Sequence, residues 1–400
     1  MSTKACIVAI AALVVATQAP SAQGQWPTRG WPTSTPAAEG LDDKVLQAFD
    51  ADIASGKYGF VDSLLVIRHG KAVLDRTYKH DYHTIYAKEA TEPGPLNAND
   101  PSGPYNYFNP WWHPFYRGGD LHTMQSVTKT VTSIVIGIAT TRKEFPSLDT
   151  PVLQFFDTSK VANIDDRKRR MTLRHLLTMT SGLDWDEDVP YADPRNDSSR
   201  MEASFDWVRY TIDRPMAREP GTAFKYSSGV TQLLSYIFWK ATKQDIEEYA
   251  NRHLFTPLGV DRFFWKRSPT GLVDTEGGLF LRTHDLAKIA YLYAKNGVWD
   301  GKVIVQPEWV KQSLSPSVAV ADGVQYGFKW WLYPYAKGDA RLAWGGSGFG
   351  GQRPLYFPDY ELLVVSTGWN VLPGRPTLTP RITIDRVLEA VIDRSSTRRQ

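Results

Sequence analysis

Apolar positions along the chain recur at two spacings, and the switches between them mark out its elements. Residues 41–54 carry them at helical intervals, whereas residues 60–68 and 71–78 are compact β-branched runs joined by His69-Gly70. The first pattern predicts a helix and the second a two-stranded hairpin. From residue 126 the helical period returns. Val127, Val131, Ile134, Val135 and Ile138 form one stripe, and Ser126, Lys129, Thr130, Ser133 and Gly137 make the opposite side small and polar. Thr172 stands where it can cap a helix bearing Leu173, Leu176 and Leu177, which Gly182 would stop. Residues 232–239, 284–295 and 381–392 are further helical patterns, and 326–333, 341–344, 354–357 and 362–367 read as strands. Strands near both ends with helices between them predict an α/β fold of the α+β kind, an antiparallel sheet flanked by helices plus an all-helical lobe. The sheet lobe is expected from about residues 41–125 and 272–395, the helical lobe from about 126–271, and no repeat is visible.

Two segments break the pattern. Residues 23–40 are rich in proline, glycine and serine and form a lead-in. Residues 80–120 are a long irregular insertion holding Tyr105, Tyr107, Phe108, Trp111, Trp112, Phe115 and Tyr116. So many aromatic residues argue against disorder, and a cover for the sheet and a wall for a substrate pocket are both open.

Residues 1–22 read as a signal peptide: Lys4 flanks an apolar run, residues 5–16, and small residues over 17–23 suit cleavage. An N-terminal anchor is the competing reading. The run is too short to span a bilayer, and no later stretch is long enough, so no membrane span is expected in the mature chain. Cys6, the single cysteine, lies within this leader. The mature chain therefore has no thiol for catalysis, disulfides or cysteine–zinc sites. A periplasmic or secreted location follows as an expectation. With 42% hydrophobic residues in 400, a sizeable core can form, and a net charge of +3 gives no reason to propose nucleic acid as a partner.

Ser126-Val127-Thr128-Lys129 is the one S-x-x-K in the chain. Residues three apart share a helix face, so a serine in the first turn sits beside the lysine amine, at the end where backbone N–H groups favour an anion. A serine nucleophile needs those two things, a proton-handling group and a place for developing negative charge. A helix cap followed by a solvated lysine is the plain alternative. Three more segments weigh against it: residues 220–228, a turn delivering Tyr226 just before a helical run; residues 173–183; and Trp344-Gly345-Gly346-Ser347-Gly348-Phe349-Gly350-Gly351-Gln352, where glycines allow close approach.

In this order the motifs resemble the serine β-lactamase and penicillin-binding-protein superfamily, nearest to class C β-lactamases, related esterases and 6-aminohexanoate-dimer hydrolases. The resemblance covers about residues 40–395, within a domain set at 41–395. It implies a nucleophile at Ser126, an amine at Lys129 and a proton-handling tyrosine at Tyr226. It also implies an oxyanion and substrate region of Ser126, Ser228, Trp344, Gly346, Ser347, Gly348 and Phe349. Lysine and tyrosine both titrate near ten in water. Placed together, burial would disfavour the lysine charge, the cation would favour tyrosinate, and the two would titrate as a unit.

Two departures matter. Ser228 stands where an asparagine is usual, and the third motif, whether Trp344-Gly345-Gly346 or Gly346-Ser347-Gly348, supplies no cation. The implied activity is cleavage of a small ester or amide. A β-lactamase or D-alanyl carboxypeptidase acting on a lactam or peptide is the second reading, and a binding or sensor protein the third. His175, His122 and His284 read as structural, and Asp184, Asp186 and Glu187 around Trp185 as a solvated acidic loop. No metal-ligand spacing occurs, and neither metal nor cofactor is expected.

Overall fold

The protein is described by a computed structural model, in which residues 26–97 and 102–392 are placed. The leader, residues 1–22, lies outside the described residues, as does Cys6. An eight-stranded antiparallel sheet runs in the order Lys71–Thr77, Val61–Arg68, Leu362–Gly368, Arg353–Phe357, Leu342–Gly345, Trp331–Pro334, Gln325–Tyr326 and Val318–Ala319. In its second strand Leu65 pairs with Val365 on one side and Asp75 on the other.

Val61–Arg68 is buried at every position because both sheet faces are covered. Leu64 and Val66 point to a core shared with the helices Asp43–Ala54 and Pro380–Ala390; Leu65 and Ile67 point to the larger core with Val127–Thr141 and Thr283–Ala294. Period-two alternation thus divides one apolar strand between two cores. The helix starts are chemically marked. Asp42 accepts from Lys44 N and Val45 N, and the Thr379 hydroxyl caps Ile382 N.

The hairpin turn uses left-handed backbone at His69 and Gly70 (φ 51° and 77°), the conformation that two-residue hairpins require. The expected strand 326–333 is two strands. Gly327 N donates to Trp330 O, and Lys329 takes a positive φ of 63°, so the chain turns between Tyr326 and Trp331. Apolar content hid that turn, since Phe328 and Trp330 are buried on either side of it.

The described residues of the aromatic insertion are packed against the rest of the chain. Tyr82, Tyr86, Leu96, Tyr107 and Phe108 pack with Trp369 and Val371 in a core of their own. His113 stacks on both Tyr107 and Trp369, 5.1 Å from each ring centre, and those two rings also touch each other at 6.2 Å. A three-stranded sheet, His122–Thr123, Leu279–Leu281 and Phe264–Trp265, then leads into the helix Val127–Thr141. No helix among the described residues is long and apolar enough to cross a membrane.

Candidate active site

Ser126 precedes the helix Val127–Thr141 with right-handed backbone (φ −61°, ψ −9°), and its side chain caps no N–H. A serine at a helix start usually accepts from N2 or N3; here the hydroxyl is left for other work. Gln125 before it holds a positive φ of 46° while buried, an uncommon geometry for a side chain with a Cβ.

Lys129 is buried, and its Nζ donates to Ser126 Oγ at 2.8 Å, to Glu276 O at 2.7 Å and to Glu276 Oε2 at 3.1 Å. The ammonium lies 5.2 Å from the centre of the Tyr226 ring. Tyr226 is delivered by a turn in which Gly221 N donates to Thr180 O and Lys225 N to Met179 O. Ser227 then caps the helix Ser228–Thr242 through Val230 N. Gly221, at φ 85°, packs near the His175 ring, whose Nδ1 accepts from Thr172 N. His175 thus shapes the turn from behind.

Both expected effects act at this pair, and nearby carboxylates join them. Burial pulls Lys129 down, but Tyr226, Glu276 and Glu187 together raise it above an ordinary lysine. Burial raises Tyr226 as well; the Lys129 charge opposes that and Glu187 adds to it. The net effect favours the ammonium form of Lys129 and the phenol form of Tyr226, against the desolvation that would strip the lysine of its charge.

After Tyr226, the group that most raises Lys129 is Glu276, a residue 147 positions away in sequence. Burial disfavours its charge, but Lys129 and a hydrogen bond shared with Glu202 bring it below the usual carboxylate range. Glu202, buried beside it and receiving the Tyr107 hydroxyl at 2.6 Å, is driven well up by burial and by the Glu276 charge. Two buried carboxyls side by side hold one proton between them. Nothing in the period of residues 274–278 marks Glu276 as a partner of Lys129; two acids in a stretch leading to an apolar strand were the available hint.

Glu187 corrects the reading of a solvated acidic loop. Asp184 is exposed, but Glu187 is buried and accepts from Trp185 Nε1, the Tyr191 hydroxyl and both the N and Oγ of Ser228, at 2.7–2.8 Å. Ser228 is itself buried with its hydroxyl committed, and does not line the pocket.

That pocket, about 420 Å³, is bounded by Ser126, Tyr226, Trp331, Ser347, Phe349 and Arg353, among others. Gly348 also borders it, whereas Trp344 and Gly346 do not. Trp344 packs on Trp330 and Tyr356, because strand alternation turns its side chain inward. Gly346 lies on the first turn of the helix, where a Cβ would meet both Val127 methyl groups at 3.2 Å. Neither Ser126 N nor Ser347 N has a hydrogen-bond acceptor among the described residues. His122 and His284 sit away from the pocket, paired with Asp62 at 3.0 Å and Asp75 at 2.7 Å. No group of three or more potential metal ligands occurs among the described residues.

The chain belongs to the Beta-lactamase family, which it matches over residues 59–368, and so to the serine β-lactamase and penicillin-binding-protein superfamily. The 6-aminohexanoate-dimer hydrolase of Paenarthrobacter ureafaciens is 23% identical over 276 residues, 63% of this chain and 68% of that protein. Monacolin J acid methylbutanoyltransferase of Aspergillus terreus (strain NIH 2624 / FGSC A1156) is 27% identical over 117 residues; that match covers 29% of this chain and only 28% of the transferase. In fold, the chain is similar to EstCE1, a hydrolase with promiscuous acyltransferase activity, with a TM-score of 0.62 at 16% identity over 88% of this chain and 98% of that one.

Proposed function

We propose that the protein is an exported serine hydrolase that cleaves an ester or amide bond of a small substrate through an acyl-enzyme on Ser126. The observation that supports this most is the 2.8 Å contact of Lys129 Nζ with a Ser126 hydroxyl that caps nothing, beside a pocket that Tyr226 also lines. The leader-like residues 1–22 support export. The similarity to 6-aminohexanoate-dimer hydrolase supports an amide or ester substrate.

In this reading the Lys129–Tyr226 pair first loses one proton, and the lysine cation holds the phenolate that results. Tyr226 takes the Ser126 proton as Oγ bonds to the carbonyl carbon. The oxyanion accepts from Ser126 N–H and Ser347 N–H, which have no other acceptor among the described residues. Collapse breaks the bond to the alcohol or amine, which leaves with the proton from Tyr226. Water then attacks the acyl carbon and gives a proton to Tyr226; collapse breaks the bond from that carbon to Ser126 Oγ, which takes the proton back, and the acid is released. Because Lys129 and Tyr226 both rest protonated, kcat/KM should rise with pH through neutrality.

The test combines a fluorophosphonate probe with three substrates: a short p-nitrophenyl ester, a linear 6-aminohexanoate dimer and nitrocefin. Labelling lost in Ser126→Ala, with ester or amide turnover and inert nitrocefin, supports the proposal. Rapid nitrocefin opening would make the protein a β-lactamase instead. Absence of labelling with a folded protein would make it a binding protein.

A further inference from the structure

The proposed reaction makes no use of Glu187, yet the bonds of this buried side chain reach both the turn that delivers Tyr226 and a second part of the pocket wall. Its Oε2 accepts from Ser228 N at 2.7 Å and Trp185 Nε1 at 2.8 Å, and its Oε1 from the Tyr191 hydroxyl at 2.7 Å and Ser228 Oγ at 2.8 Å. Four donors fill the acceptor sites of an ionised carboxyl group. Ser228 N is also the first N–H of the helix Ser228–Thr242, the end at which negative charge is favoured.

These bonds bracket Tyr226. After it, Ser228 is tied to Glu187 twice; before it, Lys225 N donates to Met179 O and the Lys225 amine pairs with Asp188, the residue next to Glu187. Tyr191 in turn packs on Phe349, with 4.7 Å between ring centres, and both rings line the pocket together with Ser126 and Tyr226. One carboxylate thus links the phenol's turn to the Tyr191–Phe349 wall.

All four partners are neutral, so the charge of Glu187 is held without being cancelled. It raises both Lys129 and Tyr226. Burial raises Tyr191 and Tyr326 and lowers Lys329, and Glu187 adds to the first two shifts and opposes the third. Of these five groups, Lys129 and Tyr226 are the two that the proposed reaction uses.

We propose that Glu187 is a positioning residue for acylation, which acts through Ser228 and the helix start to hold the Tyr226 phenol at Ser126. The proposal rests on the reading of Ser126 as nucleophile and Tyr226 as its base. Ser228 cannot shift without breaking two bonds to one carboxylate, and Tyr226, two residues earlier and pinned at Lys225 as well, is fixed with it.

The experiment uses the full mature chain and reads acylation as kcat/KM on p-nitrophenyl butyrate and as the rate of fluorophosphonate labelling. Glutamine at this position can keep the bonds, its amide oxygen facing the two N–H donors and its NH2 the two hydroxyls, which can turn to accept. Glu187→Gln should therefore largely keep the plateau of kcat/KM but move its acid limb to lower pH by about half a unit or more, because a charge that raises Lys129 and Tyr226 is gone. Glu187→Ala removes the bonds too and should lower the plateau by about tenfold or more, the scale of a misplaced catalytic group. In a Tyr226→Phe background the same change should cost no more than about a further twofold, since the group that it positions is absent. Ser228→Ala, which leaves the N–H bond in place, should repeat part of the loss with the same dependence on Tyr226, and it carries the test where Glu187→Ala does not fold.

A merely structural Glu187 would lower the melting temperature and the activity alike in both backgrounds and leave the acid limb in place. An unmoved limb in Glu187→Gln, or losses in Glu187→Ala or Ser228→Ala that persist in full without the Tyr226 hydroxyl, overturns the proposal and leaves the hydrolase standing. A wild type that is neither labelled at Ser126 nor active on the ester overturns the hydrolase, and the proposal with it.

Discussion

At Lys129 two opposing effects meet: desolvation, which favours the neutral amine, and the charges of Tyr226, Glu276 and Glu187, which favour the ammonium. The second wins because three acidic groups surround one ammonium, with the Tyr226 ring centre at 5.2 Å and Glu276 within hydrogen-bond distance. Replacing Glu276 by Gln keeps an acceptor and the backbone carbonyl but removes the charge. Lys129 should then give up its proton more easily, and the acid limb of kcat/KM should move to lower pH, by about one unit or more. Stability should fall by about 1–3 kcal/mol, since a buried cation loses its ionic partner. A pH–rate profile on a p-nitrophenyl ester with a urea titration reads both, and an unmoved acid limb would remove Glu276 from the proton chemistry. Tyr226→Phe deletes the proposed base with little change in volume. Its kcat should drop by about 10²-fold or more with an unchanged melting temperature, and full turnover would exclude the phenol from proton transfer.

The helix Val127–Thr141 illustrates what a one-dimensional pattern can and cannot tell. Its apolar stripe was legible, because Val131, Ile134, Val135 and Ile138 meet one core. The polar side was legible as small but not as buried. Thr130 Oγ1 donates to Lys329 O at 2.8 Å, Thr132 Oγ1 to Thr275 O at 3.0 Å, and Gly137 faces Trp309. Those partners are set by tertiary packing, which leaves no period in sequence. The same holds for Glu187 and Glu276, and for Trp344, Gly346 and Ser228, whose motif positions were readable but whose side chains or Cα face inward. Gly137 gives this packing a test. A Cβ there would lie 2.2 Å from Trp309 Nε1 and 2.4 Å from its Cδ1, so the ring must move. Gly137→Ala gains up to about 1 kcal/mol in helix propensity and loses about 1–3 kcal/mol to overpacking. Net destabilisation in urea is expected, with Trp309 fluorescence shifted in the native state. A more stable variant would mean that this interface is loose.

Over the whole molecule, one carboxylate adds an ionic tie to the backbone contacts that fasten the sheet to the segment preceding it. Glu39 ends a short 3-10 turn, Ala37–Glu39, and accepts from Ser34 Oγ at 2.8 Å, Lys71 Nζ at 2.7 Å and His69 Nδ1 at 2.9 Å. It thereby ties the lead-in to the hairpin turn, where Thr33 also bridges Ala72. Burial alone would raise the carboxyl, but Lys71, His69 and Ser34 outweigh it and lower it from 4.5 to about 2. A depressed carboxylate stabilises the fold fully above its unfolded value, and the contribution fades as pH falls from there through the folded one. Glu39→Gln should therefore melt below the wild type at pH 7. The gap should narrow once the pH drops under about 4.5 and be small near pH 2, as the wild-type carboxylate itself takes up a proton. Calorimetric melts of both proteins across that window decide the matter. A gap that stays constant from pH 7 to pH 2 would assign the loss to shape and hydrogen bonding, and not to the charge that joins the lead-in to the sheet.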